Sequence, residues 1–337
     1  MAATNKQIRE MLDKLYGPIR TAFLDVVGRI KTRVQLQAAA RAIERNDINA
    51  LYRAAGYRGN PWAELTESIR RAYIEGGTFT MSADLPKSIA MDFNFTSPAA
   101  EAWLAEHSSN LITYITYEQQ QAVQEVLLAG VNAGRNPRSI ALDIVGRIDA
   151  RTQRRTGGII GLNAPQTEAA INARQQLEDL DSAYFQRVRR DRRYDSMVRK
   201  AIANDEPLSQ ADINRIVGRY EDRLLELRGT TIGRTEALQA FNASADESLR
   251  QVVEEGLAAP QDAKRIWVHS GNDNERPGHL ALSGTAVGLD EPWTNPETGV
   301  SLMHPGEGPA SETINCRCGV KHQIDFIAIE QRNLAAA

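Results

Sequence analysis

The stretch DINRIVGRYEDRLLELRGTTIGRTEALQAFNASADESLRQVVEEG, residues 212–256, contains no proline, and its apolar residues recur at helical spacing. Ser209 and Asp212 precede it in the pattern of a capping box, with Asp in place of the usual Glu. The stretch therefore predicts amphipathic helix that continues to about residue 255. It makes α-helix the dominant element of the chain.

The segments before this helix also have mostly helical patterns. We predict helix within residues 5–56, then a second helix that ends at the Gly76-Gly77 pair. Alternating polar and apolar residues over 78–98 predict a short β-hairpin or an extended arm. Further helices are predicted after Ser97-Pro98, after Asn136-Pro137 and over 165–203.

The sequence changes character after Pro260, because residues 260–310 hold six of the thirteen prolines. The stretches KRIWVHS (264–270) and CGVKHQI (318–324) have the composition of strands. We therefore predict a mainly α protein: an elongated helical body with a small C-terminal α+β domain. The predicted divisions are an N-terminal helical region with the hairpin or arm at 1–95, a helical body at 96–255, and the α+β domain at 256–330.

Composition excludes several classes of protein. The chain of 337 residues is 42% hydrophobic and 25% charged, with a formal net charge of -3, which is ordinary for a soluble domain protein. We find no apolar run of the roughly 20 residues that span a membrane. The first 20 residues lack the apolar core of a leader, so we expect an unprocessed chain of cytosolic origin with no membrane partner.

The two cysteines of the chain, Cys316 and Cys318, are separated by one residue. A disulfide between them would be strained, whereas two thiolates with imidazole can bind zinc. His279 and either His304 or His322 are the candidate partners. The alternative is that both cysteines are small buried residues, with Arg317 facing away and Asn315 supporting the turn. We favour a reduced structural pair without metal, and therefore no cofactor.

Several other residues carry possible chemistry. The run QRVRRDRRYDSMVRK (186–200) could follow a DNA backbone or could be a solvated helix face paired with acids. Its candidate nucleic-acid contacts are Arg187, Arg189, Arg190, Arg192 and Arg193. His279 could act as a general base, but a loop-stabilising role for His279 and Arg276 is favoured. Glu236 and Asn242, on an apolar-patterned helix, are predicted to anchor the small domain by hydrogen bonds.

The motif residues of the C-terminal half occur in a recognisable order. They run from R-T-E through W, R-x-x-H-x-x-L-S-G and P-G to I-N-C-R-C. This order resembles the phage head morphogenesis family typified by protein F of phage Mu, over about residues 185–322. The matching residues are Arg234, Thr235, Glu236, Trp267, Arg276, His279, Gly284, Asn315, Cys316, Arg317 and Cys318.

The resemblance implies a minor head protein of a tailed phage or prophage. Such a protein would be located in the virion head, would act in head morphogenesis at the portal vertex, and would be assembled in the host cytoplasm. The implied partners are the portal protein and the major capsid or scaffold proteins, with packaged DNA as a further contact. An assembly role is favoured over an enzyme. The alternative is a metal-dependent hydrolase or nuclease, or a toxin-like enzyme, that uses His279, Cys316 and Cys318.

Overall fold

The structure is a computed structural model that describes residues 3–85, 91–269, 271 and 276–336. Its α-helices are α1 (Asn5–Thr32), α2 (Leu36–Glu44), α3 (Ile48–Ala54), α4 (Ala63–Asp84), α5 (Pro98–Asn132), α6 (Pro137–Val145), α7 (Ala164–Glu178), α8 (Asp195–Asn204), α9 (Gln210–Glu254), α10 (Pro277–Ala281), α11 (Ala310–Thr313) and α12 (Phe326–Ala336). The chain is mainly α with small antiparallel sheets near the C-terminus, as the sequence predicted. None of the helices in the described ranges combines the length and the apolar composition that crossing a bilayer requires.

Two compact units are built from segments that alternate along the chain. The terminal unit contains Met1–Ala22, Glu64–Ser108 and Thr230–Ala337, and the central unit contains Phe23–Ala63 and Ser109–Gly229. The sequence had predicted three consecutive divisions. Long helices account for the alternation, because α1, α5 and α9 each contribute residues to both units.

The strands lie in both units but the main sheet belongs to the terminal one. Strands β1 (Arg147–Ile148) and β2 (Arg155–Thr156) form a hairpin in the central unit. In the terminal unit the strands are β3 (Ala263–Val268), β4 (Ala286–Gly288), β5 (Trp293–Thr294), β6 (Ser301–Leu302) and β7 (Gly319–Ile324). The main sheet has the order β4-β3-β7, and a separate ribbon pairs β5 with β6.

The register of the main sheet places Trp267 opposite Val320 and Val268 opposite Gly319. The strand that follows the cysteine pair therefore pairs with the strand of Trp267. Strand β7 begins at Gly319, however, so residues 314–318 are turn and loop rather than strand. Trp267 is 1% exposed.

The core of the terminal unit is a cluster of buried side chains that includes both cysteines. Its members are Leu238, Ala245, Trp267, Leu282, Trp293, Leu302, Cys316, Cys318 and Val320. A fully buried arginine, Arg265 on β3, lies close to this cluster, and its guanidinium contacts the Trp293 ring. The charge is neutralised because Arg265 donates to Asp246 Oδ1 at 2.9 Å, and its remaining donors reach backbone carbonyls.

The predicted stop at Gly76-Gly77 and the predicted hairpin over 78–98 are wrong where the structure describes them. Helix α4 continues through both glycines to Asp84, residues 91–97 are irregular, and residues 86–90 lie outside the described ranges. The glycines serve close packing instead. A Cβ on Gly76 would lie 2.6 Å from Ser244 Oγ, and one on Gly77 would lie 2.3 Å from the Phe93 ring.

The predicted helix over 165–203 is interrupted. Helix α7 ends at Glu178, and α8 begins only at Asp195. Leu180 takes a left-handed conformation with φ of 55°. A right-handed α-helix cannot continue through a residue with this φ. The intervening segment contains only the short 3-10 turns Ser182–Gln186 and Arg192–Tyr194.

Candidate metal centre

The centre is built from three short pieces of the terminal unit. Helix α10 follows Arg276 and begins with Pro277, which suits the first position of a helix because proline lacks the N–H that would be unpaired there. This short helix carries His279. Helix α11 carries Glu312, and the turn after it contains Asn315 in a left-handed conformation with φ of 58°. Asparagine tolerates this conformation better than most residues, and the turn delivers Cys316 and Cys318 to the core.

His279 lies between two kinds of partner. Its Nδ1 is 3.4 Å from Cys316 Sγ and 3.7 Å from Cys318 Sγ. Its Nε2 is 2.7 Å from Glu312 Oε2. All four side chains are buried, and the two cysteines are free thiols.

These distances fit a tetrahedral metal ion. Zinc bonds of about 2.3 Å to sulfur and 2.0–2.1 Å to nitrogen put a sulfur and a nitrogen ligand roughly 3.6 Å apart in a tetrahedron. The two nitrogen–sulfur distances bracket that separation, and the three ligand atoms all lie within 4.8 Å of one another. Within the described residues, His279, Cys316 and Cys318 are the group of ligating side chains that could hold a metal ion.

Glu312 completes the arrangement typical of a metal-bound histidine. Such histidines donate the second ring N–H to a carboxylate, which fixes the tautomer and the ring orientation. Glu312 is itself held by Asn295 Nδ2 at 3.0 Å and by Thr298 Oγ1 at 2.8 Å. The His279 ring also contacts the Trp267 ring edge-to-face, with centroids 5.2 Å apart.

The groups around Cys316 favour its thiolate, the form that binds a cation. A hydrogen bond from Cys318, aided by His279, holds the pKa of the Cys316 thiol well below its usual range despite burial. Burial acts to lower the pKa of His279, but the contacts with Cys316 and Glu312 outweigh it and raise that pKa. Because a thiolate is the form that binds metal, the cluster can exchange protons for a metal ion.

The other predicted ligands and bases lie elsewhere. His304 Nδ1 is 3.1 Å from the Pro305 carbonyl oxygen. His322 Nδ1 is 3.0 Å from Asp84 Oδ2. Neither belongs to the metal-ligand group among the described side chains.

The remaining motif residues surround the centre or brace it. Arg276 donates to the Ile314 carbonyl at 2.7 Å, which confirms its predicted loop-stabilising role. Gly284 has φ of 78°, a conformation that favours glycine, and its N–H donates to the Trp267 carbonyl. Arg234 stacks over the Tyr16 ring, with the guanidinium carbon 5.5 Å from the ring centroid.

Glu236 and Asn242, the two residues of α9 predicted to anchor the small domain, contact different parts of the terminal unit. Asn242 bridges to the loop and strand of the cysteines, because its Nδ2 donates to the Cys318 carbonyl and its Oδ1 accepts from Val320 N–H. This confirms the anchor for Asn242. Glu236 instead lies 2.6 Å from Nε2 of His107.

The predicted basic stripe does not form a single helix face. Arg187 donates to Gln176 and to the Ala169 carbonyl, and Arg190 forms a two-bond ion pair with Asp195. Arg193 pairs with Asp191 but remains largely exposed, and Arg189 and Arg192 are exposed. The interruption between α7 and α8 is the reason, because the arginines lie on turns rather than on one helix.

Sequence reasoning missed Glu312, Asn295 and Thr298, which position the histidine. A single acid in a turn-rich segment has no spacing that marks it as a partner of a histidine 33 residues away. Only Glu312 offered a signal, since it lies four residues before Cys316 in the same loop region.

One similarity to a known protein covers less than a third of the chain. No family model matches the chain, and no solved structure matches it. The chain is 33% identical over 102 residues to the uncharacterized protein YqbB of Bacillus subtilis (strain 168). This match covers 29% of the chain and spans less than a third, 31%, of the length of YqbB.

Proposed function

We propose that this chain is a minor head protein of a tailed phage or prophage, acting in head morphogenesis at the portal vertex, with a zinc-stabilised C-terminal region. The observation that carries the proposal is that the motif residues of the resemblance converge. Trp267, His279, Cys316 and Cys318 are scattered over about fifty residues of sequence, yet they meet in one buried centre. The meeting of these motif members supports a shared architecture with the family that the order of motifs resembles.

His279, Cys316 and Cys318 would hold the zinc, with Glu312 orienting the imidazole. When bound, the ion supplies a cross-link between segments distant in sequence, and this stabilises a part of the terminal unit that is built from short strands and loops. The residues around it support that role. Trp267 packs on the imidazole, and Asn242 fixes the backbone of the cysteine loop.

The zinc part of the proposal is tested by elemental analysis of protein purified without chelator. We expect about one zinc per chain in the wild type and loss of zinc in Cys316→Ser, because the serine hydroxyl is a poor substitute for a thiolate ligand. Wild-type protein that contains no zinc, and that neither binds added zinc nor gains thermal stability from it, would contradict the proposal.

The head-protein part is tested by co-expression with the portal, scaffold and major capsid genes of the phage genome that encodes the chain. We expect the chain to co-sediment with procapsids at a few copies per particle, and to be lost from particles assembled without portal. Particles that assemble normally and never contain the chain would refute this part without bearing on the zinc site.

A second candidate function is supported by one specific feature, the number of ligands. Three protein ligands are typical of catalytic zinc sites, which leave one position open, and Cys316 also lines an open cleft. A metal-dependent hydrolase would make this use of the site. Zinc-loaded protein that cleaves phosphodiester or ester substrates, with the activity lost in His279→Ala, would favour the enzyme over the assembly protein.

Contact with packaged DNA is supported by fewer arginines than the five that the sequence suggested. Arg189 and Arg192 are the exposed candidates whose side chains are not used in the internal contacts of the segment. Binding through phosphate contacts should weaken linearly in a log–log plot against salt, with a slope near -0.9 per contact. Two such contacts give a slope of about -2, which the Arg189→Gln, Arg192→Gln double variant should lose. A steeper slope that is unchanged in the double variant would show that other residues contact the DNA.

A further inference from the structure

A cleft of about 180 Å³ lies in the terminal unit beside the metal centre. One wall is a single face of α1, because Arg9, Leu12 and Tyr16 are spaced three and four residues apart. The opposite side is formed by α9 and by the loop that contains Cys316 and Arg317. The volume far exceeds the roughly 10–15 Å³ that one water molecule requires, so the cleft can admit a ligand.

The charge of the cleft is concentrated in three arginines. Arg9, Arg234 and Arg317 come from three different segments and line the same space, with Asp13 as the acidic lining residue. Leu12 and Leu238 provide apolar surface between them. Guanidinium groups converging on one space are suited to an oxyanion, because each can donate two parallel hydrogen bonds.

Two of these arginines are positioned for a ligand rather than for internal packing. Arg234 lies over the Tyr16 ring, and its guanidinium has no hydrogen-bond or ion-pair partner among the described residues. Arg317 is half-buried, and the structure gives its side chain no hydrogen-bond or ion-pair partner within the described residues. A partly desolvated guanidinium without a partner gains most from binding an anion.

We propose that this cleft binds a phosphate group, and that Arg234 and Arg317 are its principal contacts. A doubly charged phosphate can pair with both of these guanidiniums, whereas a carboxylate carries only one charge. Because Cys316 belongs to both sites, the bound phosphate would lie next to the metal centre. The inference goes beyond the proposed function, since an assembly protein does not need a small-anion site, and phosphate binding by the arginines does not depend on zinc.

The test is calorimetric titration of the full chain at low ionic strength with three probes: inorganic phosphate, a nucleoside 5′-monophosphate and acetate. We expect saturable binding of phosphate and little binding of acetate. Tighter binding of the monophosphate would identify a phosphate ester as the ligand, because the apolar surface would then contribute. Equal binding of both would identify free phosphate. Acetate binding as strong as phosphate binding would overturn the assignment.

Arg317→Gln is the decisive variant, because its side chain has no hydrogen-bond or ion-pair partner to lose among the residues that the structure describes. Loss of a charge-assisted contact predicts about 10- to 100-fold weaker phosphate binding. Arg138→Gln, which removes the same charge from an exposed site in the central unit, is the matched control and should bind as the wild type does. No binding by wild-type protein at 10 mM phosphate, or equal loss in both variants, would refute the proposal. Zinc content is measured on every sample, so a failure of the zinc proposal is recognised separately.

Discussion

Removal of one negative charge behind the histidine is the sharpest test of the metal centre. Glu312 is 1% exposed and accepts hydrogen bonds from His279, Asn295 and Thr298. In Glu312→Gln the amide oxygen can still accept from His279 and Asn295. The amide nitrogen then faces the Thr298 hydroxyl, which can turn to accept. The substitution therefore keeps the hydrogen bonds and removes the charge.

The expected magnitude follows from the strength of that contact. A hydrogen bond to a charged group contributes roughly 1.5–3 kcal/mol, against roughly 0.5–1.5 kcal/mol for a neutral one. The difference of ~1–1.5 kcal/mol corresponds to about 10-fold in zinc affinity. This agrees with the range of about 10- to 100-fold found when the partners of metal-bound histidines are changed.

The assay is competition for zinc between the protein and a chromophoric chelator at fixed pH. Glu297→Gln is the control, because it removes the same charge from an exposed side chain two residues from Asn295. We expect about 10-fold weaker zinc binding for Glu312→Gln and unchanged binding for Glu297→Gln. Wild-type zinc affinity in Glu312→Gln would refute the role assigned to the carboxylate. Equal weakening in both variants would show that the effect comes from long-range charge and not from the hydrogen bond to His279.

Three further predictions concern stability. Trp267→Ala should lower the free energy of unfolding by ~3–5 kcal/mol in chemical denaturation, because the side chain is 1% exposed in the core; a loss below 1 kcal/mol would contradict this. Burial raises the pKa of Glu221 to about 7, so ionisation is costlier in the folded than in the unfolded state. The free energy of unfolding should fall by up to ~3 kcal/mol as pH rises from about 4.5 to about 7, and Glu221→Gln should remove this change. The same dependence of stability on pH in the wild type and the variant would contradict the prediction. Gly77→Ala should lower the melting temperature because its Cβ would meet the Phe93 ring at 2.3 Å, whereas Gly17→Ala, with open space around it, should not; equal melting temperatures would argue against the close packing.

The sequence by itself determined the long elements and the residues worth examining. Helix α9 follows from apolar residues that recur at helical spacing without a proline. The strands around Trp267 and Val320 follow from β-branched and aromatic residues in the proline-rich C-terminal part of the sequence. These are local properties, because the spacing of side chains along one element is fixed by its geometry. The scarcity of cysteine likewise identified Cys316 and Cys318 as a pair.

Only the tertiary structure decided which residues meet. Gly76 and Gly77 are helix breakers by propensity, yet packing against Ser244 and Phe93 keeps them inside α4. His279 was a candidate ligand alongside other histidines, and the fold alone brings it within 3.4 Å of Cys316. The physical reason is common to both cases: contacts between residues far apart in sequence depend on chain closure, which no local pattern encodes. They can outweigh intrinsic propensities of only about 1 kcal/mol per residue.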